Sequence, residues 1–146
     1  MDNSAPLPPA EYRHIYEFHT RFGDLDPQGH VNNCTFLNYL EDARLEMFHS
    51  DPVRKGETPV RGMVISRHEI DYKRPLMFSV NPYRVETWVT EARAASFKLA
   101  YEVRDDEHAY VTAKSTLVAF DVEAERLRRF TSEERAFIER YLRPSD

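Results

Sequence analysis

The sequence has a single cysteine, Cys34, so no intrachain disulfide can staple the chain and a cross-linked framework is excluded. Long apolar runs are missing too: none approaches the roughly 20 residues a helix needs to cross a bilayer. The amino end, MDNSAPLPPA, lacks the basic and apolar leader of a secreted protein. Together these absences predict a cytoplasmic protein with no membrane partner. Net positive charge is also lacking. At −5, with 31% charged residues of both signs, the chain is not built to coat nucleic acid. No internal repeat recurs.

At 146 residues the chain is long enough for one core and short for two. Residues 1–10 are proline-rich and aperiodic, which predicts a flexible tail ahead of a single domain over 11–146. From Tyr12 to Thr20, Tyr12, Tyr16 and Phe18 fall on one side, as in a half-buried strand. Phe36, Tyr39, Leu40, Ala43 and Met47 lie within about 60° of one another at helical period, predicting a broad-faced helix over 34–48. Residues 50–62, holding Pro52, Gly56, Pro59 and Gly62, read as a loop. Alternation then predicts four strands. Val64, His68, Ile70 and Tyr72 share one face; Tyr83, Val85, Thr87 and Val89 the next; Phe97, Leu99, Tyr101 and Val103 a third; Tyr110 to Phe120 closes the run. Their short connections require antiparallel neighbours. Thr131 and Glu134 form a capping box that opens a short helix. The fold class is α+β: an antiparallel five-stranded sheet wrapped round one long helix, with a short C-terminal helix. Such a sheet leaves a face or an edge open, which predicts pairing with a second copy.

Chemistry concentrates in RFGDLDPQGHVNN, Arg21 to Asn33, which runs straight into the long helix. The start of Asp24, Leu25, Asp26, Pro27, Gln28, Gly29 resembles a calcium loop, but its twelfth position is Thr35 rather than Glu and a strand leads in. Cys34, in the first helical turn with His30 nearby, could be a nucleophile; its structural alternative is a small buried apolar residue. Asp26 offers a third chemistry. A carboxylate in a partly dry cleft can act as a general base or attack an acyl carbon, while free N–H groups at the helix start hold the resulting oxyanion. Gly29 permits the turn that brings the two together, and Asn32 or Asn33 can cap the helix. The residues alone leave this reading level with a purely structural one, in which Asp24 and Asp26 serve the loop and the helix dipole. His68, on the apolar face of its strand, reads as a hydrogen-bonded core histidine. No spacing supplies the third ligand that a metal site needs.

The stretch RFGDLDPQGHVNNCTFLNYLEDAR resembles the signature of hotdog-fold acyl-CoA thioesterases of the hydroxybenzoyl-CoA thioesterase type, in the branch carrying GHVNN; RHEIDYKRPL extends the likeness. The resemblance implies a hotdog fold and hydrolysis of an acyl-CoA or acyl carrier protein thioester without a cofactor. It places the catalytic carboxylate, as nucleophile or base, on Asp26 and the oxyanion-holding N–H on Asn33. His30, Gly29 and Asn32 then belong to the same site, with His30 as a loop anchor. Arg93 and Lys98 become candidates for CoA phosphate contacts. It also implies a homodimer or homotetramer with sites at the dimer interface. Two alternatives remain: a non-catalytic acyl-CoA-binding protein, and a hotdog enoyl-CoA hydratase using Asp26 and His30.

Overall fold

The computed structural model describes residues 7–143; residues 1–6, most of the expected tail, lie outside the described residues. Pro8 is buried, so ordered packing begins before residue 11. After a 3-10 turn at Ala10–Tyr12, β1 (His14–Phe18) leads to the polar loop, then α1 (Thr35–Leu45), a π-helical segment (Glu46–Ser50) and α2 (Asp51–Arg54). Four strands follow: β2 (Met63–Tyr72), β3 (Tyr83–Ala92), β4 (Ser96–Arg104) and β5 (Ala109–Asp121). A two-residue β6 (Arg126–Leu127) and α3 (Ser132–Arg140) end the fold. The five main strands lie in the order β1-β3-β4-β5-β2, every neighbouring pair antiparallel, with β6 added along β5.

Alternation sets which side of the sheet is dry. Phe97, Leu99, Tyr101 and Val103 of β4 and Val85, Thr87 and Val89 of β3 are essentially sealed. They face Phe36, Leu40, Ala43 and Met47, which recur at helical period along α1 and its continuation. Leu40 is wholly buried, and a side chain of that size contributes about 1.5–3 kcal/mol when fully covered. The sheet therefore curls round the helix and fixes where the helix begins.

Two local features depart from simple periodicity. The helix continues beyond 48 to Arg54, through residues expected to form a loop. Pro52 has no N–H to offer the Phe48 carbonyl one turn back, and the N–H of Val60 takes that place at 2.9 Å. With this carbonyl satisfied from outside, the helix passes the proline. In β2 the register slips between Ile65 and Arg67. Ile65 pairs with Leu117 and His68 with Ser115, both inward-facing, so Ile65 joins the inner face in place of Val64.

The capping box forms as expected: the N–H of Glu134 donates to Thr131 Oγ1 at 3.1 Å, and the Thr131 N–H to Glu134 Oε1 at 2.8 Å. Phe137 then packs against Phe48, and the segment after α3 fills the β3 edge past β1, where the Val89 N–H donates to the Tyr141 carbonyl. At the opposite margin β2 has no strand on its outer side among the described residues, and Val64, Ile65 and Tyr72 are exposed along it.

Candidate active site

A 3-10 turn at Phe22–Asp24 carries the chain from β1 into the loop. Asp24 is only 5% exposed, and its Oδ2 accepts the Tyr39 hydroxyl at 2.7 Å and the Arg21 N–H at 3.1 Å. Burial, then the bond to Asp24, pushes the Tyr39 phenol well above its ordinary value of 10.0. Asp24 thus fastens the loop to the middle of α1. Its committed carboxylate is not turned outward as the first ligand of a calcium loop would be.

Asp26, half-buried, is held differently. Its N–H donates to the His30 carbonyl at 2.7 Å, and its own carbonyl accepts the Gly29 N–H at 3.0 Å. Oδ1 accepts the N–H groups of Gln28 (2.9 Å) and His30 (3.1 Å), while Oδ2 takes no hydrogen bond from another described residue. Gly29 closes this ring at φ +85°, a left-handed conformation that strains any residue with a Cβ. One oxygen is immobilised by backbone and the other carries no hydrogen bond from another described residue. The Val31 N–H donates to the Leu76 carbonyl at 2.8 Å, clamping the loop to the segment after β2.

The helix start completes the arrangement. Asn32 Oδ1 accepts the Cys34 N–H at 2.9 Å, its carbonyl accepts the Thr35 N–H, and its own N–H donates to the Asp24 carbonyl. Among the N–H groups of residues 32–35, that of Asn33 alone donates to no described residue. The Asn33 carbonyl is fixed by the Tyr72 hydroxyl at 2.8 Å. Asp26, His30 and Asn33 line one cavity of about 320 Å³, together with Phe36, Tyr72, Lys73 and Arg74.

Of the residues expected from sequence, Asp26, His30 and Asn33 come together in this cavity and Gly29 shapes its loop; Asn32 holds the Cys34 N–H just ahead of the helix, whose N-cap position is Cys34 rather than either asparagine. Arg93 and Lys98 do not join them. Arg93 pairs with Glu91 at 3.0 Å, and Lys98 lies 3.6 Å from the same carboxylate. Lys98 opens instead onto a larger concavity of about 810 Å³ with Arg67, Glu69 and Lys114. His30 meets Asp26 through its backbone; the imidazole makes no hydrogen bond to the carboxylate. Cys34 is exposed, which removes the buried-apolar reading of it. His68 Nδ1 lies 2.7 Å from Ser115 Oγ as expected of a hydrogen-bonded histidine, but the residue is exposed rather than part of the core, because β2 is the edge strand; partial burial, then Arg44, lowers its pKa.

Tyr72, Lys73 and Arg74 were not expected at the site from sequence. The signal was available in RHEIDYKRPL, whose last residues leave β2 at the helix start. The backbone N–H groups of Lys73 and Arg74 both donate to the Tyr110 carbonyl, and neither side chain forms an ion pair among the described residues.

The sequence model of the Thioesterase-like superfamily matches residues 20–138. No curated protein matches the chain. Solved structures do. A Bacillus stearothermophilus protein described as a predicted thioesterase superposes with TM-score 0.78 at 20% identity, over 92% of this chain and 99% of its own. A Thermus thermophilus thioesterase complexed with coenzyme A and Zn gives 0.72 at 25% identity, over 90% and 95%. A Pseudomonas aeruginosa protein gives 0.74 at 26%, over 86% and 97%.

Proposed function

We propose that this chain, which belongs to the thioesterase-like superfamily, hydrolyses acyl-CoA thioesters to the free acid and CoA through Asp26 and the Asn33 N–H. The observation that carries the reading is one shared cavity holding a carboxylate with an uncommitted oxygen and a helix-start N–H with no partner. Asp26 draws a proton from water, the hydroxide adds to the thioester carbon, and the new oxyanion is met by the Asn33 N–H. Collapse of this intermediate breaks the C–S bond. The CoA thiolate leaves without a strong acid, because a thiol is far more acidic than an alcohol or amine. In the covalent version of the same geometry, Asp26 Oδ2 attacks the carbonyl, the C–S bond breaks to release the thiolate, and water hydrolyses the resulting mixed anhydride to the free acid and Asp26.

Lys73 and Arg74, which line the cavity and form no ion pair among the described residues, suit the phosphates of CoA better than Arg93 and Lys98, which lie away from it and share the Glu91 carboxylate. The Thermus thermophilus relative complexed with coenzyme A supports CoA rather than a carrier protein as the thiol. The unpaired β2 edge supports a homodimer formed by antiparallel addition of a second β2.

A panel of acyl-CoAs, followed both by free-thiol release and by enoyl absorbance, tests the reading. Thiol release with saturated acyl chains is the expected result. Binding without release would make the protein a ligand carrier, and loss of enoyl absorbance without thiol would make it a hydratase.

A further inference from the structure

The unpartnered N–H of Asn33 belongs to one of two peptide groups joined at that residue, and both groups are held by hydrogen bonds. In the 32–33 peptide, the Asn32 carbonyl accepts the Thr35 N–H at 2.9 Å, so the Asn33 N–H, on the opposite side of the same plane, points away from Thr35. In the 33–34 peptide, the Cys34 N–H donates to Asn32 Oδ1 at 2.9 Å and the Asn33 carbonyl accepts the Tyr72 hydroxyl at 2.8 Å. The bonds from Thr35 and to Asn32 are local to residues 32–35. The bond from Tyr72 comes from the last residue of β2, 39 positions along the chain.

Tyr72 is itself well anchored. Its backbone pairs with Val111 of β5, and the next two N–H groups, of Lys73 and Arg74, donate to the Tyr110 carbonyl. Its ring meets Phe36 edge-on with centroids 5.6 Å apart, and Phe36 is buried in the core. Partial burial, then Cys34, holds the phenol above its ordinary value of 10.0, so the hydroxyl remains a donor at neutral pH. Addition of a second strand along the β2 edge engages backbone groups and leaves this side-chain bond in place.

We propose that Tyr72 is a positioning residue for the hydrolysis proposed above: by holding the Asn33 carbonyl from β2, it sets the direction of the N–H that meets the oxyanion. The inference rests on that reading. Because peptide groups are planar, only φ and ψ of Asn33 relate the two peptides. Pinning the 33–34 plane at both its N–H and its carbonyl therefore limits the rocking that would swing the free N–H. An oxyanion donor is worth most when it is aimed before the charge appears, because a mobile dipole must reorganise during the reaction. A tyrosine that only tied β2 to the helix start would lend stability and leave the chemical step alone.

Tyr72→Phe keeps the ring against Phe36 and removes only the hydroxyl. With a saturated acyl-CoA, kcat should fall about five- to tenfold, the order expected for one lost hydrogen bond, while KM stays within about twofold. In the Asn33→Pro background the same change should alter kcat by less than about twofold, since the N–H it directs is gone. Nitrogen relaxation of the backbone amides needs no substrate: the Asn33 amide should lose order or gain slow exchange in Tyr72→Phe, with the amides of α3 unchanged. Normal kcat in Tyr72→Phe, a rise in KM instead, losses that multiply in the double variant, or an Asn33 amide as ordered as in the natural chain would each overturn the inference while Asp26→Asn still loses turnover. A natural chain that releases no thiol would overturn the hydrolysis reading and this inference with it.

Discussion

Asp24 and Asp26 are the same residue type two positions apart, and the fold gives them opposite circumstances. Asp24 turns inward, and Tyr39 and the Arg21 N–H occupy its Oδ2. Asp26 turns to a cavity, anchored by Oδ1 alone. A carboxylate that is buried and accepts a buried hydroxyl ties two elements together; one that is half-buried, held only by N–H groups of its own loop and facing a cavity with an unpartnered N–H, supports the role proposed above. The contrast is set by backbone. Leu25 bridges to Val31, and Gly29 turns the chain so that the two side chains emerge on different sides.

The sharpest way to break the contrast is at its electrostatic counterpart. Asn33→Pro deletes the unpartnered N–H, and thiol release should fall by about 10²–10³-fold, whereas Asn33→Ala keeps that N–H and should stay within about threefold of the natural chain. Comparable losses in both variants would point to the Asn33 side chain instead.

Next in size is the structural half. Asp24→Ala leaves the buried Tyr39 hydroxyl without its acceptor and should lower unfolding free energy by about 2–3 kcal/mol in urea titration. Gly29→Ala forces a Cβ into a left-handed residue and should cost about 1 kcal/mol, with turnover falling further than stability explains because the Asp26 ring is distorted.

The smallest effect is in alkali. The Tyr39 phenol is held above its ordinary 10.0 by burial and by Asp24, so its contribution is complete below pH 10 and is lost as pH rises beyond it. Stability measured from pH 9 upward should decline more steeply for the natural chain than for Tyr39→Phe. Parallel curves would show that the hydroxyl does not couple to folding.

Much of this was legible in the sequence because it rests on local patterns. Period-two alternation placed Phe97, Leu99, Tyr101 and Val103 inward, helical period placed Phe36, Leu40 and Ala43 against them, and Thr131 with Glu134 marked the last helix. What periodicity could not carry were events decided at a distance. The helix passes Pro52 because Val60, eight residues later, supplies the missing donor. The β2 bulge that exchanges Val64 for Ile65 depends on pairing with β5. The same limit applied to the site: Asp26, His30 and Asn33 are close in sequence and were readable, while Tyr72, Lys73 and Arg74 reach the cavity only through the sheet. The different tasks of Asp24 and Asp26 were equally hidden, since nothing in a DLD triplet says which carboxylate will meet Tyr39.

The most direct measurement is Asp26→Asn, with thiol release and urea midpoint recorded on the same preparation. The account predicts turnover at least about a hundredfold lower with an unchanged midpoint. Hydrolysis close to that of the natural chain, or a midpoint lowered as far as that of Asp24→Ala, would contradict it.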